Sequence, residues 1–428
     1  MGLLMLPQAH ADKATGPLRP HPTNPRYFTD GSGKAIYLAG SQAGGWDMQD
    51  DAWPGWQAQG VRIPSSFARH MDILSKHNHN VFRLWTVESA RCNLGSAGVL
   101  ATPLPYQRTG PGNALDGQPR FDLNQFDPAY FDRLRSRVIA ARGRGIYVIV
   151  MLFEGFSCVH PVSNYAVNPG ANPWFGHPFN VRNNVNGVNG DRDGDGWGLE
   201  FHSLAVPAVT RLQKAYVRKV GDTVNDLDNV LYEIANESVP QSQDWQNEMI
   251  NTIKSYEATK PKQHPVLTSH SWPGQSNAAL FASPADAVAP GKKTDEDYEN
   301  SPPTATGKKV VIADFDHINP WTRDPKVVWK NFLRGNNPII YDTYLVPFDW
   351  HLGKVVPDDG TYEPLRRAVG HTRSYATRMN LAAMTPRNDL ASTQYCLANP
   401  GREYLVYLPE GGEVTVDLTA ASGTLTVE

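Results

Sequence analysis

Short apolar runs and longer amphipathic stretches take turns along this chain, and that alternation limits its fold more than any other feature. "KAIYLAGS" precedes "IPSSFARHMDILSKHN", and "NVFRLWTVES" precedes, after a loop, "DPAYFDRLRSRVIAARGRG". The latter opens at Asp127 with Pro128 behind it, a helix N-terminus signal. "IYVIVMLFEG" leads to "LAVPAVTRLQKAYVRKVGDTV", and "NVLYEIANES" to "SQDWQNEMINTIKSYEATK". "HPVLTSHSWPG" and a weak "ADAVAPG" come next; "KKVVIADFDHI" then precedes "DPKVVWKNFLRG", and "NPIIYDTYLV" precedes "EPLRRAVGHTRSYATRMN". Buried strands that each lead into a helix build a parallel sheet. Eight such steps over about 360 residues predict a (β/α)8 TIM barrel, an α/β fold. A doubly wound open sheet is the alternative, but its phosphate turn G-x-G-x-x-G is missing from "AGSQAGGW".

The flanks read differently. "NPRYFTDGSGKAIYLAGS" gives two short strands around Asp30-Gly31-Ser32-Gly33, a hairpin signal. Past residue 385 the helical period stops, and "EYLVYLPEGGEVTVDLTAASGTLTVE" alternates as antiparallel strands do. Three parts are expected: a leader or signal remnant over 1–17, the barrel over 18–385, and a small antiparallel β-sandwich domain over 386–428. That last part either leans on the barrel or is truncated. "MGLLMLPQAHADK" ends its apolar run at Ala9-His10-Ala11, like the tail of an export signal without its basic start. The expected location is secreted or periplasmic.

A net charge of −3 with no long basic run offers no surface for nucleic acid or an anionic membrane. No stretch nears the ~20 apolar residues of a membrane span. Three cysteines without a C-x-x-C exclude a zinc knuckle and a thioredoxin-type centre. Cys92 and Cys158 both follow neighbouring predicted strands, so they either pair, if the chain is exported, or stay as buried thiols. Cys396 is left over. Oligomeric state is not legible in the sequence.

In such a barrel, residues at the C-terminal strand ends line the active site. Here those ends carry Arg83 and Trp85 from the second strand and Glu154 from the third. Asn236 and Glu237 come from the fourth, His270 and Trp272 from the fifth. The seventh brings Asp314, Asp316 and His317, and the eighth Tyr341 and Asp342. Carboxylates, imidazoles and indoles without a Ser or Cys nucleophile motif suit acid–base work on a neutral polyol. Eleven Trp and 17 Tyr agree with stacking on sugars, although most aromatics are core in any protein. Glycosidic cleavage needs one carboxyl group to protonate the departing oxygen and a second across the sugar, about 5–5.5 Å away for retention. Glu237 is the expected acid/base, kept protonated by neighbouring negative charge. Asp314 is the expected nucleophile, held ionised by Arg83. Asp316, two residues on, points the same way if the strand stays regular, and is the other candidate. Each residue also has a plain structural reading: Glu237 as a cap, Glu233 as a buried partner of Arg83, His270 and His317 as core histidines, Trp85 and Trp272 as packing. Glu88 and Glu154 either meet sugar hydroxyls or face solvent.

"YEIANES" resembles the fourth-strand signature of clan GH-A glycoside hydrolases, the cellulase-like retaining enzymes whose Asn-Glu pair supplies the acid/base. "NVFRLW" resembles their second strand, and "KVVIADFDH" stands at their seventh. "HPFNVRNNVNG", "VVIADFDHI" and "KNFLRGNNPIIYDTY" resemble apiosidase-like members, and "GREYLVYLPEGGEVTVDL" resembles their collagen-binding-type C-terminal β domain. The resemblance implies a glycoside hydrolase acting on an oligo- or polysaccharide. In it Asn236 would bind a sugar hydroxyl beside the reacting carbon, and no cofactor would be needed. The clan nucleophile is Glu where this chain has Asp314, so inversion, or a non-catalytic carbohydrate- or matrix-binding barrel, stays open. A metal-dependent hydrolase built on His270, Asp314, Asp316 and His317 is a third reading. Separately, Asp191, Asp193 and Asp195 before Gly196 start a D-x-D-x-D-G calcium loop. His202 stands where an EF-hand puts its Glu, so a structural Ca²⁺ would need Glu200 instead.

Overall fold

The computed structural model describes residues 13–42, 48–49, 67–90, 101–156, 172–271, 276–291, 296–342 and 360–428, and the backbone of 52–53, 63–64, 348–349 and 354–355. Eight parallel strands close into a barrel in sequence order. They are β1 (Gly40–Gln42), β2 (Val81–Leu84), β3 (Tyr147–Glu154), β4 (Val230–Asn236), β5 (Val266–Ser269), β6 (Ala287–Ala289), β7 (Val310–Asp314) and β8 (Asn337–Tyr341). Every residue of all eight is buried, which is why they read as near-continuous apolar runs. Register fixes the neighbours at the rim: Asn236 pairs with Glu154, and Tyr341 with Gln42.

Helices α1 (Phe67–Lys76), α2 (Pro128–Arg142), α3 (Pro207–Val224), α4 (Gln243–Glu257), α5 (Asn277–Ala282), α6 (Lys326–Leu333) and α7 (Glu363–Arg378) follow the other strands. The sixth step has no helix among the described residues. Its connection carries Pro302, Pro303 and Gly307, the last at φ +81°, and these residues interrupt any helix. Asp127 caps α2, accepting from the Ala129 N–H with Pro128 in the first turn.

Two apolar layers enclose the sheet. Leu134, Val138, Val217, Val220, Ile250 and Ile253 cover Val148, Val150, Val230 and Tyr232 on one side. Val328, Phe332, Leu365 and Val369 cover Ala313 and Ile340 on the other. Inside the barrel, Val81, Ile149, Leu231, Leu267, Val310 and Ile339 fill the space, so the centre is packed rather than open. On β2 and β4 the next inward residues toward the C-terminal end are Arg83 and Glu233.

Past 385, Thr385–Pro386, Cys396–Asn399 and Glu403–Val406 form a three-stranded antiparallel sheet. It lies against the barrel: Trp329 of α6 stacks on Tyr407 at 5.6 Å and 18°. Cys396 is buried and free. Cys92, Cys158, Trp272 and residues 1–12 of the expected leader lie outside the described residues. The loop between β2 and α2 holds an unexpected hairpin, Tyr106–Asn113 with Pro119–Phe126, around Asp116-Gly117. Asp-Gly is a turn signal the sequence did display.

Candidate active site

Arg83 is the centre of the barrel's C-terminal mouth. It is 1% exposed, and its Nε and Nη2 donate to the two oxygens of Glu233, both at 2.6 Å. Nη2 also donates to Asn236 Oδ1 at 2.8 Å and Nη1 to Gln42 Oε1 at 3.1 Å. Nη1 reaches Asp316 at 3.3 Å and Asp314 at 3.4 Å. A planar, permanently charged fork can serve several acceptors at once, which a lysine could not. Burial opposes this charge, but Glu233, then Asp314 and Asp316, raise the Arg83 pKa above its ordinary value. Ser269 of β5 completes Glu233 with a further donated bond.

The tip of β4 is held from this centre. Asn236 Oδ1 accepts from Arg83 and lies 3.1 Å from His317 Nε2, while its Nδ2 has no protein hydrogen-bond partner. Glu237 follows at φ +43°, a left-handed conformation that costs a residue with a Cβ about 1–3 kcal/mol. It is 8% exposed. Such strain gathers where a side chain must be aimed.

The acids after β7 separate into two environments. β7 ends at Asp314, whose φ of −84° and ψ of 115° make it the N-cap of a helical turn, Phe315–Ile318. Asp314 Oδ1 accepts from the Asp316 N–H at 3.0 Å and from the Gln42 amide, so this carboxylate faces β1 and Arg83. Asp316 stands on the turn itself. One of its oxygens, one of Glu237's and one His317 nitrogen all lie within 4.8 Å of one another. The expectation of a shared strand face fails because the chain turns helical between the two acids. Asp316, not Asp314, meets Glu237. Burial, with the Asp316 and Glu233 charges adding and Arg83 opposing, raises the Asp314 pKa to about 8. Burial, then the Glu237 charge, raises Asp316 to about 7, again against Arg83.

The other expected residues sit around this pair. His317 is buried, and desolvation, then Arg83 and His270, push it well below 6.5. His270, 3% exposed, has its ring 6.3 Å from that of His317. Tyr341 closes the β8 side, with Trp321, 40% exposed, edge-on at 6.3 Å. Trp85 is buried, donates to Gln42 at 2.6 Å and lies under Arg83, so it braces the network. Glu154 is buried at the end of β3, its N–H donating to Glu88. Asp342 turns away into an ion pair with Arg366. Sequence reading passed over Gln42, a lone amide at a strand tip, and a group beside Glu237 formed by Ser238 and His202.

In the expected calcium loop, Asp191 and Asp193 converge with Glu200 rather than with Asp195. Asp195 instead accepts from the Trp197 N–H, and both Asp191 oxygens accept backbone N–H groups, as in a self-capped turn.

No family model matches the sequence, and no curated protein does. Among solved structures, a glycoside hydrolase family 5 protein of Bacteroides vulgatus is similar with a TM-score of 0.54 at 12% identity, over 95% of this chain and 84% of its own. A second protein of that organism, provisionally assigned as a glycoside hydrolase, gives 0.50 at 14% identity; 85% of this chain covers 61% of it. At these identities the likeness establishes the fold, and this chain shares the (β/α)8 barrel of both proteins.

Proposed function

We propose that the chain is a glycoside hydrolase that cleaves O-glycosidic bonds of an oligo- or polysaccharide by two-carboxylate catalysis with retention. The observation that carries this reading is the approach of Glu237 and Asp316 to within 4.8 Å at the mouth of the barrel. An approach this close fits the spacing of about 5–5.5 Å of retaining carboxyl pairs better than the roughly 6.5–9.5 Å of inverting ones. Glu237 gives its proton to the glycosidic oxygen as the Asp316 carboxylate attacks the anomeric carbon; the C–O bond breaks and the alcohol departs. Water, losing a proton to Glu237, then attacks the glycosyl ester and restores both acids. The open Nδ2 of Asn236 supports its role as a donor to the neighbouring sugar hydroxyl. Trp321 and Tyr341 offer a stacking wall. Asp314 then serves as the cap of the turn that carries Asp316 rather than as the nucleophile. Secretion or a periplasmic location fits a polymeric substrate and the apolar N-terminus.

The test is turnover on a panel of aryl glycosides and polysaccharides. Glu237→Gln and Asp316→Asn should each lose about 10²–10⁴-fold, and Asp314→Asn much less. Loss with Asp314→Asn but not Asp316→Asn would reverse the nucleophile assignment. The Glu237, Asp316 and His317 cluster also favours one second reading, metal-assisted hydrolysis. Activity that EDTA abolishes and divalent metal restores would select it. Ligand binding without turnover, unchanged in Glu237→Gln, would select a binding protein.

A further inference from the structure

We propose that Glu88, His202 and Ser238 form a buried positioning brace that fixes the Glu237 carboxyl for proton donation, an inference that rests on Glu237 being the acid of a glycosidase. Glu237 is anchored on its N-terminal side by Asn236, which Arg83 and His317 hold. On its C-terminal side the anchor is Ser238, whose Oγ lies 3.0 Å from His202 Nδ1. His202 Nε2 lies 2.8 Å from Glu88 Oε2, and that oxygen also accepts the Glu154 N–H at 2.9 Å. The brace therefore ties the residue after Glu237 to the tip of β3, the strand paired with β4 at that level.

Packing keeps it from turning. The His202 ring stacks on Trp245 at 4.3 Å and 22°, with Phe201 against it at 3.9 Å. Gly155 lets the two tips meet, since a Cβ there would lie 2.5 Å from Ser238 Cα and 2.9 Å from the Glu237 carbonyl oxygen. Burial pushes the Glu88 carboxyl well above its ordinary range and the His202 imidazole well below. With both neutral, each link of the Ser238–His202–Glu88 line is a single hydrogen bond whose direction follows the imidazole tautomer. His177 stands 4.0 Å from the second Glu88 oxygen and is likewise pushed well below 6.5 by burial. Serine, histidine and carboxyl stand in the order of an acyl-transfer triad, but Ser238 is 1% exposed and meets no substrate.

A brace for the acid matters in proportion to how much the leaving group needs a proton. The experiment compares kcat/KM for two aryl glycosides of one sugar, a dinitrophenyl glycoside and an unactivated phenyl glycoside, in wild type, Ser238→Ala, His202→Gln and Glu237→Gln. Gln at 202 can still reach Glu88 but not Ser238. The expected result is a loss of about tenfold or more on the phenyl glycoside in Ser238→Ala and His202→Gln, and a change within about twofold on the dinitrophenyl glycoside. An equal loss on both substrates means misfolding or general disruption and overturns the brace, as does no loss on either. Should one variant fail to fold, the other carries the same comparison. Glu237→Gln should show the same bias more steeply. If it does not, or if the wild type turns over neither substrate, the acid assignment falls and takes the brace with it.

Discussion

At the scale of single residues, the site is an arrangement of more carboxyl groups than cations. Arg83 faces Glu233, Asp314 and Asp316, and takes Glu233 as its bidentate partner. Arg83→Met leaves Glu233 buried without its counter-charge, a loss of about 3–5 kcal/mol measurable by urea unfolding. A loss below 1 kcal/mol would mean that the buried pair adds little net stability. The pH profile reads the other acids. Asp316 must be ionised to attack, and burial raises it. The acidic limb of kcat/KM is therefore expected near neutrality, well above an ordinary aspartate. Removing a like charge lowers a carboxyl pKa. In the working form Glu237 holds its proton and carries no charge, so Glu237→Gln should leave the limb of the residual activity on a dinitrophenyl glycoside where burial puts it; a limb that moves to lower pH would mean that Glu237 is ionised beside Asp316 and that the two roles are exchanged. Asn236 and Glu237 were legible in the sequence because polar groups ending an apolar strand stand out. The choice between Asp314 and Asp316 was not, because it depends on where β7 stops. Nor was the Glu88, His202 and Ser238 group, whose members come from three separate loops and strand ends.

At the scale of elements, the barrel was legible because all eight strands are buried on both faces and leave a solid apolar trace. Even the weak sixth step was marked: its strand is three residues long, and its connection holds Pro302 and Pro303 with no helix among the described residues. The β2–α2 hairpin escaped because its first strand has no buried residue past Tyr106 and its second buries only Phe121 and Leu123, too short an apolar trace to stand out. Strand contact also sets a residue requirement that composition cannot reveal. In β1, a Cβ on Gly40 would lie 1.8 Å from the Val81 carbonyl oxygen of β2, backbone that cannot yield. Gly40→Ala should therefore part β1 from β2 and displace Gln42, which bridges Arg83, Trp85 and Asp314. A stability loss of about 1–3 kcal/mol or more is expected, together with lower activity, both read on the purified variant. A silent Gly40→Ala would mean that the two strands meet less closely.

At the scale of the whole molecule, stability and the site make opposite demands, and pH exposes the conflict. Asp314 and Asp316 bind protons more tightly folded than unfolded, since burial raises both. Their contribution is full below the ordinary carboxylate range and is lost as pH rises toward their folded values of about 7 and 8. The buried imidazoles act the other way. His79, His177, His202 and His317 are depressed mainly by burial, so the unfolded chain takes up protons below pH 6.5 that the folded one refuses. Below pH 6.5 the four histidines outweigh the two aspartates, so stability climbs with pH until those histidines are neutral in the unfolded chain; above it the loss from the aspartates runs alone and ends once both have ionised in the fold. The melting temperature should peak near pH 6.5 and fall toward pH 8. In Asp314→Asn the group that must ionise in the interior is gone, while an amide can still cap the turn that Asp314 caps. The fall above pH 6.5 should flatten in that variant and the rise below it should steepen, because Asp314 no longer works against the histidines there. If the wild type instead keeps gaining stability up to pH 8, Arg83 outweighs burial and holds Asp314 and Asp316 ionised.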